Sequence, residues 1–186
     1  VGSKFEIEEK IKNNERFKTL DLGKSTIFFE KGVEVEFDSQ NKTIEINQKI
    51  AGSRSYIFGG SLENFKINFN GKEIIDWEKN LSLKEFPLNF PIDNKTLTGC
   101  LSLINLTIKN ISIDASNSTC EDTVNFINSN GSVSEINISN SFSDALDVDF
   151  SNLKFKSIIV KNAINDCADF SAGKYNIDSL NLSYCG

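Results

Sequence analysis

SDALDVDFSNLKFKSIIVKNAINDCADF, residues 143–170, begins and ends with two similar acidic segments. Asp144-Ala-Leu-Asp147 at its start is matched by Asp166-Cys-Ala-Asp169 at its end, 22 residues further along the chain. Four carboxylates in this arrangement could form one active site, or they could occupy equivalent positions in a structural repeat. The apolar residues around them distinguish these two interpretations.

The last 65 residues divide into three segments with a spacing of 22, which begin at Asp122, Asp144 and Asp166. Apolar residues recur at the same positions in all three segments. These columns are Val124, Leu146 and Ala168; Phe126, Val148 and Phe170; Val133, Phe155 and Ile177; Ile136, Ile158 and Leu180; and Ile138, Val160 and Leu182. A polar column of Asn125, Asp147 and Asp169 lies between the first two. Agreement in so many columns indicates a repeat.

Alternation with a period of two predicts short strands that have one inward and one outward face. A segment of 22 residues holds about three such strands and their turns, which is typical of one coil of a parallel β-solenoid. Each coil buries its inward column only against its neighbours, so no coil is stable alone. Asn140 and Asn162 also align, and we expect them at coil corners, where Asn satisfies backbone groups of the turn.

The pattern extends toward the N-terminus with one irregularity. Residues 106–110 match residues 136–140 at an offset of 30, so we expect about eight extra residues in that coil, as a loop around 113–120. Loops at one corner of a solenoid often form the binding face. Residues 21–186 are therefore predicted to be one solenoid domain and residues 1–20 a cap or first strand. Residues 71–98, which hold Trp77 and both prolines, are predicted to leave the coils.

These features resemble those of the right-handed parallel β-helix repeat proteins. The resemblance rests on the 22-residue coil, its Leu146-x-Val148-x-Phe150 alternation, the corner asparagines and the Lys-Gly-Val-x-Val-x-Phe segment at 31–37. Within that segment, Val33, Val35 and Phe37 are predicted to point inward. The resemblance covers most of the chain and implies an all-β fold of right-handed parallel coils. Its motifs concern architecture and imply no particular chemistry.

Charge and hydropathy exclude several classes of partner. The formal net charge is −6, and the lysines are scattered among acidic residues, as on a solvated face. We therefore expect no binding to nucleic acid. Apolar runs stay far below the roughly 20 residues that a membrane helix needs, so no membrane insertion is expected.

Equivalent positions on successive coils should lie about 4.8 Å apart, so Asp122, Asp144 and Asp166 should form one ladder and the polar column a second ladder beside it. Repulsion between neighbouring carboxylates must then be offset. In the simplest interpretation, the first Asp of each coil caps a turn by accepting backbone N–H bonds. Alternatively, a Ca²⁺ ion is bound by a set of four carboxylates. These would be Asp144, Asp147, Asp166 and Asp169.

A third interpretation is catalytic, with one carboxylate held protonated by its neighbours as a general acid. Asn165-Asp166-Cys167 is similar to the Asp-Asp-Cys segment of pectin-hydrolysing β-helix enzymes, which implies Asp166 as the acid and Asp144 or Asp147 as its partner. Asn165 departs from that pattern, and the chain contains no histidine, whereas that family has one in its site. The absence of histidine also excludes Ser/His/Asp and Cys/His catalysis and argues against zinc.

Four cysteines are spaced at slightly less than one coil. Cys100 and Cys120 are 20 apart, and Cys167 and Cys185 are 18 apart, so each pair could meet across a corner as a disulfide. Cys167 could instead be a small buried residue in the column of Ala145. Two disulfides would imply export.

The sequence therefore predicts an exported, rigid β-helix module that presents a surface for adhesion, glycan binding or extracellular assembly. Its contact or calcium site would be the outward ladders and the 113–120 loop, and no cofactor is required. Sugar-stacking candidates are Tyr56, Trp77 and Tyr175. The alternative is a polysaccharide-active hydrolase or lyase that uses the four-carboxylate cluster. A further expectation is end-to-end self-association, because the chain stops within the repeat.

Overall fold

A computed structural model describes residues 17–76, 82–83 and 98–186, the pair 82–83 by backbone alone. These residues contain strands and no helix. The strands are β1 Phe17–Asp21, β2 Thr26–Glu30, β3 Val33–Asp38, β4 Thr43–Gln48, β5 Ser55–Phe58, β6 Ser61–Glu63, β7 Lys66–Asn70, β8 Ile75–Asp76, β9 Ser82–Leu83, β10 Gly99–Ile104, β11 Thr107–Ser118, β12 Asp122–Ile127, β13 Asn130–Ser141, β14 Asp144–Asp149, β15 Asn152–Phe155, β16 Ile158–Ala163, β17 Ala168–Ser171, β18 Lys174–Ile177 and β19 Leu180–Cys185. The predicted all-β class is confirmed.

Stacked coils form a parallel β-helix of about five turns. One face is a seven-stranded sheet, here called sheet A, in the order β1-β2-β5-β10-β12-β14-β17. The other faces form a ten-stranded sheet, here called sheet B, whose main path is β18-β15-β13-β11-β7-β4-β3. Val124 pairs with Leu146, and Leu146 with Ala168, at the predicted spacing. All five predicted apolar columns are confirmed by the strand register.

Sheet B bends, and this changes the number of strands in a coil. Coils such as β14–β15–β16 have three short strands, as predicted. In two coils the second and third strands merge into the 12-residue strands β11 and β13. The register of β11 against β13 shifts between Lys109 and Ser112, around Asn110, whose φ is +55°. A bulge therefore turns the chain where the other coils use a break between strands.

The predicted loop at 113–120 is wrong. Residues 113–118 belong to strand β11, where Ile113 pairs with Ile136 and Ala115 with Ile138. Both Ile113 and Ala115 are buried in the core. The true offset is 23 residues on both sides of the bulge, one more than in the later coils, and the extra residue lies at the corner between Ser118 and Asp122. The 30-residue offset arose because two apolar pairs, at 106–108 and 113–115, each resemble Ile136-x-Ile138.

Asparagines mark the coil corners, as predicted for Asn140 and Asn162. Asn117, Asn140 and Asn162 have φ angles of +56°, +60° and +62°, in the left-handed region that asparagine tolerates better than most residues. Their side chains form a ladder, in which Asn162 Nδ2 donates to Asn140 Oδ1 at 2.9 Å and Asn140 Nδ2 donates to Asn117 Oδ1 at 3.1 Å. The ladder links successive coils near the ends of β11, β13 and β16 in sheet B.

Antiparallel strands lie at the other end of the helix, where β1 pairs with β2, β2 with β5, and β3 with β4. Val33 is buried, Val35 and Phe37 are half-buried, and the intervening glutamates are exposed, as the alternation predicts. Residues 17–20 belong to β1, while the rest of the predicted cap lies outside the described residues. Trp77 and both prolines of the predicted excursion also lie outside them, and the domain boundaries stay a prediction.

Both predicted disulfides are present. Cys100 pairs with Cys120 at a Cα–Cα distance of 5.3 Å, and Cys167 pairs with Cys185 at 5.4 Å. Cys100 and Cys120 are fully buried, whereas Cys185 is exposed on the last strand. Each bridge therefore fastens one coil across its corner, the first inside the helix and the second on the last described coil.

Candidate functional site

The outward surface of sheet A carries a group of carboxylates on neighbouring strands. Asn125 on β12 pairs with Asp147 on β14, and Asp147 pairs with Asp169 on β17. Their neighbours Val124, Phe126, Leu146 and Val148 point into the core, so alternation places these polar side chains outside. With Asp122 and Asp149 they form the acidic face, defined as Asp122, Asn125, Asp147, Asp149 and Asp169.

The amide of Asn125 joins two of these carboxylates. Its Nδ2 donates to Asp147 Oδ2 at 2.6 Å and to Asp122 Oδ2 at 3.4 Å. The hydroxyl of Thr98 donates a further short hydrogen bond to Asp122 Oδ2. Asn125 and Asp122 are 1% and 2% exposed, while Asp147 and Asp149 are half-buried and Asp169 is exposed. The face therefore runs from a buried end to an open end along the helix axis.

Burial and mutual repulsion raise the pKa values of these acids. Burial raises the pKa of Asp122 to about 8, against the bond from Thr98, and the charges of Asp147, Glu121 and Asp144 contribute. Burial followed by the charges of Asp149 and Asp169 raises the pKa of Asp147 to about 7. The pKa of Asp149 is raised as well, mainly by burial. Near neutral pH the face can therefore hold both protonated and ionised carboxyls.

Asp144 has a different role from its neighbours. Its Oδ1 accepts the backbone N–H of Asp166 at 3.0 Å and the side-chain amide of Asn165 at 2.7 Å. This is the turn-capping arrangement that the simplest interpretation of the ladder predicts. Asp166 itself is exposed on the last coil.

Within the described ranges, one group of three acidic side chains brings its oxygens within 4.8 Å of one another, namely Glu121, Asp122 and Asp144. It contains one of the four predicted calcium ligands, Asp144. The other three, Asp147, Asp166 and Asp169, lie on or beside the open end of the acidic face. A calcium site at the four predicted residues stays a prediction.

Glu121 and Arg54 are site residues that the sequence did not indicate. Burial raises the pKa of Glu121 and the charge of Asp144 raises it further, while the guanidinium of Arg54 opposes both effects. Arg54 is fully buried, and its Nη1 donates to the carbonyl of Gly52 at 3.0 Å. Glu121 directly precedes Asp122, which could have suggested it, but no pattern in the sequence indicates a buried arginine beneath this corner.

Two buried oxygens beside the acidic face have no hydrogen-bond partner among the residues that the structure describes. These are Asn125 Oδ1 and Ser102 Oγ. Ser102 pairs with Asn125 across β10 and β12, so both belong to one outward column. A buried polar atom without a hydrogen-bond partner destabilises the fold. A ligand group that formed a hydrogen bond to this column would therefore gain binding free energy.

The outward column turns from polar to aromatic beyond Ser102. Ser102 pairs with Tyr56 on β5, and Tyr56 with Phe28 on β2. Tyr56, Phe28, Phe58 and Ile104 are buried together as a second apolar cluster. The prediction of Tyr56 as an exposed sugar platform is therefore wrong, because this ring is completely covered.

Tyr175 is tied into the last coils and does not form a free platform. Its hydroxyl donates toward the carbonyls of Val148 and Ser171, at 2.9 and 2.8 Å, and its ring packs against Phe170. Trp77, the remaining sugar-stacking candidate, lies outside the described residues.

Comparison with protein-family models, with curated proteins and with solved structures found no match. The class of this protein is thus defined by its architecture, a disulfide-linked β-solenoid of the parallel β-helix type. Its two disulfides are compatible with an extracellular or periplasmic location. Among the described residues there is no helix of sufficient length and hydropathy to span a membrane.

Proposed function

We propose that this protein is an exported, rigid β-helix module that works by presenting the acidic face as a contact surface, in adhesion, glycan binding or extracellular assembly. The observation that carries this proposal is the placement of the acidic face on consecutive hydrogen-bonded strands. Because each strand is held by its neighbours, the spacing of the carboxylates is set by the sheet at about 4.8 Å. A fixed array of this kind suits a repeating, hydroxyl-rich ligand or a bridging cation.

Calcium is the cation that this surface would take, since Ca²⁺ prefers several oxygen ligands in an adaptable geometry. Asn125 Nδ2 now satisfies the carboxylates of Asp122 and Asp147. Rotation of the amide by 180° would present Oδ1 to them, because the two ends of an Asn amide are similar in shape. The unpartnered Oδ1 would then become a ligand beside Asp147, and Asp169 is the next carboxylate along the column.

Thermal unfolding of the purified chain with Ca²⁺ and with chelator tests this proposal. At a Ca²⁺ concentration ten times the Kd, binding to the native state should raise the free energy of unfolding by about 1.4 kcal/mol. For a domain of this size, the Tm should then rise by about 3–6 °C. The double variant Asp147→Asn with Asp169→Asn should lose this gain. Asp114→Asn with Glu135→Gln is the matched control, because it removes two exposed carboxylates from sheet B and should keep the gain. A wild-type Tm that is the same with Ca²⁺ and with chelator would contradict a calcium-bridged contact.

A second candidate function, a polysaccharide-active hydrolase or lyase, is favoured by the carboxyl groups around Asn125. The pKa values of Asp122 and Asp147 are raised to about 8 and about 7, and both side chains bond to one amide. A carboxyl that is neutral near pH 7 can donate a proton to a leaving oxygen, while an ionised neighbour acts as base or nucleophile. In this hypothesis Asp122 replaces the exposed Asp166 as the acid, and Asp147 is its partner.

Digestion of uronic-acid polymers by the wild type and by Asp147→Asn tests the enzymatic hypothesis. Loss of the base or nucleophile should reduce turnover by about 100-fold or more, because general acid–base catalysis contributes 10²–10⁴-fold. The variant Asp114→Asn, which alters an exposed residue of sheet B, should keep full activity. Absence of product from every polymer with the wild type, or full turnover by Asp147→Asn, would refute this candidate.

A further inference from the structure

A cleft of about 360 Å³ opens where the β1–β2 turn, the β3–β4 hairpin and β6 meet. This volume lies within the range of small-molecule sites. Its lining includes Lys24 from the turn, Phe37 and Lys42 from the hairpin, and Ser61, Glu63 and Phe65 from β6 and the residues that follow it. None of these residues belongs to the acidic face.

Positive charge is concentrated at this cleft, although the chain as a whole is acidic. Lys109 Nζ forms an ion pair with Glu63 Oε1 at 2.5 Å, and Lys42 Nζ donates to the backbone carbonyl of Glu63 at 3.1 Å. The pKa of Glu63 is lowered by its bond to Lys109 and by the charges of Lys109, Lys42 and Lys24. Lys109, which lies outside the cleft lining, pairs with the Glu63 carboxylate, so Lys24 and Lys42 are the two cations that the cleft offers to an anion.

An aromatic wall borders the lysines. The rings of Phe37 and Phe65 stack in nearly parallel planes, with their centres 5.8 Å apart and an interplanar angle of 12°. Phe65 is buried and Phe37 is half-buried, so Phe37 offers an apolar surface that Phe65 holds in place. Ser61 and Ser39, which also line the cleft, bring hydroxyl groups that can both donate and accept hydrogen bonds.

We infer that this cleft binds an acidic sugar residue, with its anionic group at Lys24 and Lys42 and the apolar face of its ring on Phe37. The lysines supply the charge, the ring supplies the flat apolar contact, and the serines with Glu63 supply partners for hydroxyl groups. A simple inorganic anion would use only the first of these. The three lysines lie far apart in the sequence, at 24, 42 and 109, so they converge only when the coils stack.

A neighbouring acidic cleft would orient the anionic group of the bound sugar. A second cleft on the hairpin is lined by Glu36, Asp38 and Glu45 and also includes Phe37. Phe37 therefore separates an acidic cleft from the basic one, and repulsion from the acidic side orients the anion toward Lys24 and Lys42. This sugar site does not depend on the acidic face of sheet A, so either proposal can fail without the other.

Nuclear magnetic resonance titration of the ¹⁵N-labelled chain tests the inference, with glucuronate, methyl glucoside and inorganic sulfate as probes. Glucuronate should shift the amide signals of Ser61, Glu63 and Phe65 and bind about tenfold more tightly than either of the others. Methyl glucoside lacks the charge, and sulfate lacks the ring. Absence of shifts at these residues with glucuronate would overturn the proposal. Equal binding of sulfate and glucuronate would also overturn it, because the cleft would then be an anion site without a sugar contact.

Two double variants with the same change in net charge complete the test. Lys24→Ala with Lys42→Ala should weaken glucuronate binding about tenfold or more, because it removes both cations of the cleft. Lys156→Ala with Lys161→Ala removes two exposed lysines from the later coils and should bind as the wild type does. Equal weakening in both variants would mean that general charge attraction and not this cleft binds the sugar. Unchanged amide spectra away from the substitutions would verify that each variant keeps its fold.

Discussion

Removal of the Cys100–Cys120 disulfide by Cys100→Ala with Cys120→Ala is expected to reduce the free energy of unfolding by about 3 kcal/mol. The bridge closes a chain segment of 20 residues, and the loss of loop-closure entropy from the unfolded state gives this value. For a domain of this size the Tm should fall by about 6–12 °C. Calorimetry of the variant and the wild type at one pH measures the difference.

The second disulfide is the natural control for the first. Cys167→Ala with Cys185→Ala opens a loop of similar length, 18 residues, but on the last coil. There Leu180 is 51%, Leu182 40% and Tyr184 76% exposed. Because this coil can open locally, its bridge should affect global unfolding less, while hydrogen exchange of β19 amides becomes faster. Exposed Cys185 should also be reduced first by mild thiol. Equal Tm losses in the two variants would contradict this difference between the coils.

The fold could be predicted from the sequence because its inward columns repeat with a constant spacing. From Asp122 onward each coil has the same length, and every apolar column found in the sequence matches the strand register. Corner asparagines and the cysteine spacing were predictable for the same reason, since a residue one coil away is a neighbour in space. Repetition converts a long-range contact into a local sequence pattern.

The prediction failed where the repeat itself changes. One added residue, at the corner between Ser118 and Asp122, moves the coil length from 22 to 23, and the small side chain of Ala115 weakens the apolar column that would have shown it. At the opposite end, β1 to β4 pair partly in antiparallel fashion, so their contacts follow no coil spacing. The basic cleft lies among these strands. Because its lysines are brought together by contacts that follow no repeat, their positions in the sequence did not predict the cleft.

The sequence predicted which residues of the candidate site align, but it did not predict how deeply they are buried. Alternation correctly aligned Asn125, Asp147 and Asp169, and the same rule could have added Asp149, two residues after Asp147. The sequence did not indicate that Asp122 and Asn125 would be almost fully buried. Burial is what raises the pKa of Asp122, so the chemistry of the face depends on a property that alternation does not show.

Asp122→Asn is expected to stabilise the protein strongly at pH 8 and much less at pH 5. The folded pKa of Asp122, about 8, lies above its ordinary value of 3.8, so the native state keeps a proton that the unfolded state releases. The free energy of unfolding should therefore fall as the pH rises from about 4 to about 8. Asparagine removes this loss, on the order of 5 kcal/mol at pH 8, and can still accept the hydrogen bond from Thr98. Chemical denaturation at both pH values measures the change, and a variant less stable than the wild type at pH 8 would contradict it.

Stabilisation by Asp122→Asn would bear on function, because it measures how far Asp122 lowers the free energy of unfolding. An asparagine at position 122 would keep the Thr98 bond without repulsion from Glu121, Asp144 and Asp147. A buried acid with a raised pKa lowers the stability of the native state near neutral pH, and groups of this kind concentrate at functional sites. If Asp122→Asn also abolishes the stabilisation by Ca²⁺, then bound Ca²⁺ offsets the destabilisation that Asp122 causes. If it leaves that stabilisation intact, the proton held by Asp122 becomes the main support for the enzymatic hypothesis.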